Sequence, residues 1–161
     1  MSKLWILKPG VENAQMAATA LPAAAFDAAA AVLVFDFLIG NDDRHVEKAN
    51  CLVRGDRVVL IDHERALPVL RQELRPHAWQ PGGLDNVHRH VFFAALKGQM
   101  PDFASIIAAL TALPAKRIDD YLAELPPGWI DSGAVARLRS FWLEMRDACP
   151  KFRDLLQETV R

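Results

Sequence analysis

The sequence predicts a mainly α-helical domain with one small β-hairpin set into it. Three observations lead there. Residues 14–39 are rich in alanine, the strongest helix former. Two short β-rich runs flank Gly55-Asp56. Beyond residue 84 the chain repeatedly places apolar residues at helical spacing.

The elements follow in chain order. Leu4–Lys8 suits a short strand, closed by Pro9-Gly10. A helix is expected over about 23–39, starting behind Pro22 and ending at the stop signal Gly40-Asn41. Its run Val32-Leu33-Val34-Phe35 is apolar on all sides, which predicts central burial. Asn50–Arg54 and Arg57–Ile61 read as the two strands of a hairpin. Pro68, Pro76 and Pro81-Gly82-Gly83 punctuate an irregular stretch. Helices are then expected over Asp85–Lys97, stopped by Gly98, over Asp102–Leu113, stopped by Pro114, and over Ala115–Leu125, stopped by Pro126-Pro127. Two more follow, from about Ser132 to Ala148 and from Lys151 to the end. Phe103, Ile106, Ile107 and Leu110 make one apolar helix face, and Val135, Leu138, Trp142 and Met145 make another.

The 161 residues read as a single domain over 1–161, with a motif-bearing core at about 30–67 and a helical remainder at 84–161. A chain of this size buries roughly 70% of its unfolded surface, enough for one core. With 19 Lys+Arg against 20 Asp+Glu, the formal net charge is -1. That balance argues against a nucleic-acid coat or a polybasic membrane binder, so neither partner is expected. Cys51 and Cys149 form neither a disulfide framework nor a metal clamp. The apolar run near the N-terminus is shorter than the roughly 7–15 residues of a signal peptide. Asp27 and Asp36 interrupt the longest apolar stretch, where a membrane span needs about 20 apolar residues. A cytoplasmic protein is expected.

The chemistry concentrates in Gly40–Leu52 and Val58–Glu64. Asn50 opens the first predicted strand and Asp62 follows the second, so a hairpin brings them side by side. Asp43 lies in the loop that enters the same hairpin. Two carboxylates and an amide then meet at one mouth, the oxygen-rich donor set that Mg²⁺ prefers. Phosphoryl transfer uses this combination: one carboxylate orients the attacking hydroxyl, and an Asn and a second Asp hold metal on the nucleotide phosphates. The order Asp43, Asn50, Asp62 is also the general kinase order of catalytic-loop Asp, Asn, hairpin and metal-binding Asp.

On Asn41-x-Asp43-Arg44-His45, Asn50-Cys51-Leu52 and Ile61-Asp62-His63, the sequence resembles the HipA-like kinases. The resemblance is to the bacterial branch in which Asp-Arg-His and Ile-Asp-His frame the hairpin. Asp-Arg-His is also similar to the catalytic loop of phosphatidylinositol 3/4-kinases. Val34-Phe35-Asp36 fits the same branch, and Pro126-Pro127-Gly128-Trp129 fits it more loosely. The resemblance covers about residues 30–67, and the helical remainder is compatible with a kinase C-lobe. It implies a protein-kinase-like C-lobe and an ATP- and Mg²⁺-dependent phosphotransferase acting on a protein Ser/Thr. Asp43 would be the catalytic carboxylate, and Asn50 and Asp62 would hold the metal and, through it, the nucleotide. His45 would support the catalytic loop, and Arg44 would steady a phosphate or the loop itself.

The sequence departs from the pattern in several places. Seven positions separate Asp43 from Asn50, where the general pattern has about five. Lys48 stands where a further amide is expected, and Glu64 follows His63 where many kinases have Gly. No Gly-rich loop precedes the motifs, and Glu12 is too close to Lys8 to partner it from a separate helix. Lys8 itself reads better as a surface basic residue than as the nucleotide-contacting strand lysine. The expectation is therefore a C-lobe with the N-lobe missing, needing an N-lobe-bearing partner chain or a very reduced nucleotide clamp. The alternative is a catalytically inactive, truncated kinase-like protein serving as a binding or regulatory module, where an apolar face left by the N-lobe would predict a partner or a homodimer.

The remaining candidates read as structural. His88 and His90, with His77 nearby, have spacing that turns the first two rings apart on a helix, so a surface face is expected rather than zinc. Asp62-His63 has no Ser or Cys elbow to make it a hydrolase pair. Cys51 reads as a small core residue, and Trp79, Trp129 and Trp142 as core anchors.

Overall fold

The computed structural model describes residues 21–54, 57–126 and 128–161, so the strand expected at Leu4–Lys8 lies outside the described residues. Helix α1 (Phe26–Leu38) runs through the centre, preceded by a 3₁₀ turn at Ala23–Ala25. Ala29, Ala30, Val32, Leu33, Val34 and Leu38 are all buried. The small side chains let neighbours approach closely, and the larger ones fill the space between. Phe35 corrects the expectation of all-round burial: it is 40% exposed. One position of this helix faces the rim of the hairpin, where Phe35 meets His63 edge-on.

Strands β1 (Cys51–Arg54) and β2 (Arg57–Leu60) form the expected antiparallel hairpin, with Cys51 opposite Leu60 and Arg54 opposite Arg57. Cys51 is buried, as its place on the core face requires. Past the hairpin, a 3₁₀ turn at Pro68–Arg71 leads into irregular chain.

The helix expected over Asp85–Lys97 is not continuous. Only a 3₁₀ turn at Val87–Arg89 and a short α2 (Phe93–Leu96) form. Between them His90 is extended, with φ -61° and ψ 135°. Its main chain is drawn onto the loop before the hairpin: His90 bridges His45, Val91 N–H donates to Arg44 O, and Val46 N–H donates to Arg89 O. These contacts, and burial of the His90 ring, outweigh the local helical preference. His90 is therefore not on a surface face, although His88 is exposed.

Helix α3 (Phe103–Thr111) is capped by Asp102, whose carboxylate accepts from Ser105 N–H, and α4 (Lys116–Ala123) follows. Helix α5 (Ser132–Val160), capped by Asp131, is one continuous element where two were expected. Pro150 lies inside it. Proline removes one ladder bond and costs about 3 kcal/mol in a helix interior. Here the buried stripe Phe141, Met145, Cys149, Phe152, Leu156 and Val160 carries the helix across it. Each such large apolar side chain contributes about 2 kcal/mol on burial. α5 packs on α3 and α4, and α3 packs in turn on α1. Trp79 is buried and donates Nε1–H to Glu144, whereas Trp129 is 73% exposed and anchors no core. No described helix is long and apolar enough to cross a membrane.

Candidate functional site

The site begins where α1 ends. Gly40 N–H donates to Phe37 O and Asn41 N–H to Asp36 O, the paired bonds of a Schellman stop. Gly40 takes φ +65°, and a Cβ there would lie 2.8 Å from Pro68 Cδ. Both the conformation and the close packing call for glycine. The chain then enters the loop 41–50, closed on itself by the His45–Lys48 bridge.

At the hairpin mouth, Ile61 N–H donates to Asn50 O at 3.0 Å, which sets the segment ending in Asp62 beside Asn50. Both Asn50 (φ 45°) and Asp62 (φ 57°) are left-handed. Asn and Asp tolerate that conformation better than other side-chain-bearing residues, which explains their place at the two flanks of the ladder. Asn50 Nδ2 donates to Asp43 Oδ2 at 3.0 Å and to Asp43 O at 3.2 Å. Lys48 Nζ lies 2.5 Å from Asp43 Oδ2 and 3.3 Å from Asp62 Oδ2. The structure thus brings Asp43, Asn50 and Asp62 together across the loop and hairpin. It adds Glu64: carboxylate oxygens of Asp43, Asp62 and Glu64 lie within 4.8 Å of one another. Hydrogen bonding by the Lys48 ammonium, with help from Asn50, holds the Asp43 carboxyl below its ordinary range. The same contact with Asp43, reinforced by Asp62, raises the pKa of Lys48.

Beneath this mouth lies a buried polar core. Asp36 is 0% exposed and Arg44 1%. Arg44 Nε donates to Asp36 Oδ2 at 2.5 Å and Nη2 to Asp36 Oδ1 at 3.3 Å, a two-pronged pair. The rest of the guanidinium reaches the mouth. Nη1 donates to Asn50 O and, at 3.5 Å, to Ile61 O, while Nη2 donates to His63 Nε2 at 3.2 Å. One side chain therefore ties α1 to both strand ends and to the residue after Asp62. Of the two roles expected for Arg44, this geometry serves the loop.

Asp36 also accepts from Asn41 Nδ2 at 2.9 Å and pairs with His90 Nε2 at 3.1 Å. Phe92 N–H donates to His90 Nδ1, which leaves the proton on Nε2 and makes the ring a neutral donor to Asp36. Burial alone would raise the Asp36 carboxyl, but donation by His90, Arg44 and Asn41 holds it below its ordinary range. Burial pushes His90 the other way, below the usual imidazole value, despite the carboxylate beside it. His45 sits outside this core, with Nδ1 2.7 Å from Glu47 Oε2, and supports the loop through its backbone bridges to Lys48 and His90.

Asp36 and His90 were not among the predicted site residues. Asp36 carried a usable signal, a carboxylate inside an otherwise apolar helix, which must find a partner when buried. His90 carried none, because 54 residues separate it from Asp36.

A cleft of about 210 Å³ opens beyond the loop from the carboxylates, lined by Asn41, Asp42, Arg75, His77, Gly83 and His90 among others. Asp43, Asn50 and Asp62 do not line it. No family model, curated protein or solved structure matches the chain. Three carboxylates and an amide oxygen, with no sulfur, suit a hard divalent cation such as Mg²⁺. Since Asn50 Nδ2 faces Asp43, its Oδ1 is the atom it can offer.

Proposed function

We propose that the hairpin mouth is the catalytic end of a HipA-like, ATP- and Mg²⁺-dependent phosphotransferase acting on a protein Ser/Thr. The observation that carries this reading is the meeting of Asp43, Asn50 and Asp62, in kinase order, at the two flanks of one hairpin. Asp43 in this reading is the carboxylate that orients the acceptor hydroxyl and takes its proton at Oδ1 or Oδ2. Its lowered pKa keeps it ionised at neutral pH. Asp62 and Asn50 Oδ1, with Glu64 at the rim, hold the cation. A bound Mg²⁺ supplies charge neutralisation on the transferring phosphoryl group. Arg44 is a positioning residue that fixes the backbone of Asn50 and Ile61. The lobe that covers the nucleotide is assigned in this proposal to a partner chain.

The test is thermal melting of the full chain with millimolar Mg·ATP, for wild type and Asp62→Ala. A ligand at 100 times its dissociation constant stabilises by about 2.7 kcal/mol. The reading expects a Mg²⁺-dependent rise in Tm that Asp62→Ala abolishes. An unchanged wild-type Tm would refute nucleotide use by this chain alone.

One observation favours the second reading, a kinase-like binding module. Val59 and Ile61, on one face of β2 and its extension, are 53% and 43% exposed, and Phe35 is 40% exposed. Apolar surface beside a polar mouth is what a partner would cover. Sedimentation of the full chain distinguishes the two: this reading expects a dimer that Val59→Lys converts to monomer.

A further inference from the structure

The proposed metal site already holds a cation of its own. A single ammonium, Lys48 Nζ, contacts both Asp43 Oδ2 and Asp62 Oδ2, the proton-accepting carboxylate and the cation-holding carboxylate of the phosphotransferase reading. Asp43 Oδ2 also accepts from Asn50 Nδ2, so its lone pairs are committed while Lys48 is in place. The reach of Lys48 is set by its backbone. Lys48 N–H donates to His45 O at 3.0 Å, His45 N–H donates to Lys48 O at 3.2 Å, and His45 is bridged in turn to His90. The lysine stem therefore starts from a fixed turn and ends between two carboxylates.

Resting on the phosphotransferase reading above, we propose that Lys48 is an internal counter-ion that gates the site, and that a divalent cation enters by displacing its ammonium from Asp43 and Asp62. Without the lysine, three carboxylates would face one another at close range, with no other ion pair to Asp43 or Asp62 among the described residues. With it, the empty mouth is held together and a divalent ion must compete. Removing the positive charge while keeping the stem should therefore tighten cation binding. A unit charge about 4 Å from a divalent ion, in water-like surroundings, corresponds to about tenfold to thirtyfold in affinity. Any modification that neutralises Lys48, acylation for example, acts in the same direction.

The experiment is calorimetric titration of the full chain with Mn²⁺, for wild type, Lys48→Met, Lys48→Arg and Asp62→Ala. The expected result is about tenfold or more tightening in Lys48→Met, wild-type affinity in Lys48→Arg, and loss in Asp62→Ala. Lys48→Met binding no tighter than wild type, with Asp62→Ala still losing the ion, would overturn the gate and leave the cation site standing. Failure of every form to bind Mn²⁺ would overturn both. A second measurement avoids substitution altogether. Lysine side-chain NMR of the wild type should show the Lys48 Hε and Cε signals moving to free-lysine positions as Mg²⁺ saturates. Signals that stay put at saturation would overturn the displacement.

Discussion

Replacing Arg44 with methionine keeps most of the stem volume and removes the charge that Asp36, Asn50, Ile61 and His63 share. The pair with Asp36 is fully desolvated, at 0% side-chain exposure on both sides. Breaking a buried pair from one side strands the other charge, which costs about 3–5 kcal/mol. Asp36 retains donors from Asn41 and His90, which places the expected loss near the lower end, about 3 kcal/mol. That is a large share of the about 5–15 kcal/mol by which domains are stable. With a urea slope of about 2 kcal/mol/M, the midpoint should fall by about 1.5 M. The double variant Asp36→Leu/Arg44→Met removes both charges and should lose less than the sum of the two single changes, because neither charge is stranded. Equilibrium urea unfolding of the four proteins measures all of this. An Arg44→Met loss below about 0.5 kcal/mol, or strict additivity in the double variant, would refute the argument that this pair organises the mouth.

Acid sensitivity should trace first to His90. Its native pKa is depressed below 6.5, so as pH falls through that value the unfolded state takes up a proton the folded state refuses. Stability then drops by about 1.4 kcal/mol per pH unit, and Asp36 adds to the loss only as pH falls below 3.8, toward its own depressed value. Urea unfolding between pH 7 and 5 should show this slope and His90→Gln should flatten it, whereas an equal slope in the variant would contradict the assignment. Gly40→Ala should destabilise by about 1–2 kcal/mol, since it must hold a positive φ against Pro68; a Tm equal to wild type would be the contrary result. Pro150→Ala restores a ladder bond at an exposed position of α5 and should stabilise by about 1–3 kcal/mol, read as a rise in Tm that an unchanged or lower value would contradict.

The parts of the fold visible in the sequence were those governed by local chemistry. Proline, glycine and an apolar run bound α1; β-branched runs around Gly55-Asp56 gave the hairpin. Asp43, Asn50 and Asp62 could be placed together because a hairpin joins its own ends. Departures arise where distant contacts prevail. His90 breaks the expected helix because its ring belongs under the loop, held by Asp36. Pro150 does not end α5, because the buried stripe on either side is continuous. Lys48 and Glu64, visible only as departures from the kinase pattern, turn out to face the same carboxylate mouth. Trp129 lies out in solvent, where composition alone suggested an anchor.

The central claim is that a divalent cation binds at the hairpin mouth. Paramagnetic Mn²⁺, added in small amounts to the ¹⁵N-labelled chain, locates the ion directly by broadening nearby amide signals. The account predicts selective loss of the signals of Asp43, Asn50, Asp62 and Glu64, with Val135 and Leu156 on α5 unaffected. Broadening centred on the cleft around Arg75, His77 and Gly83, or uniform across the chain, would contradict it.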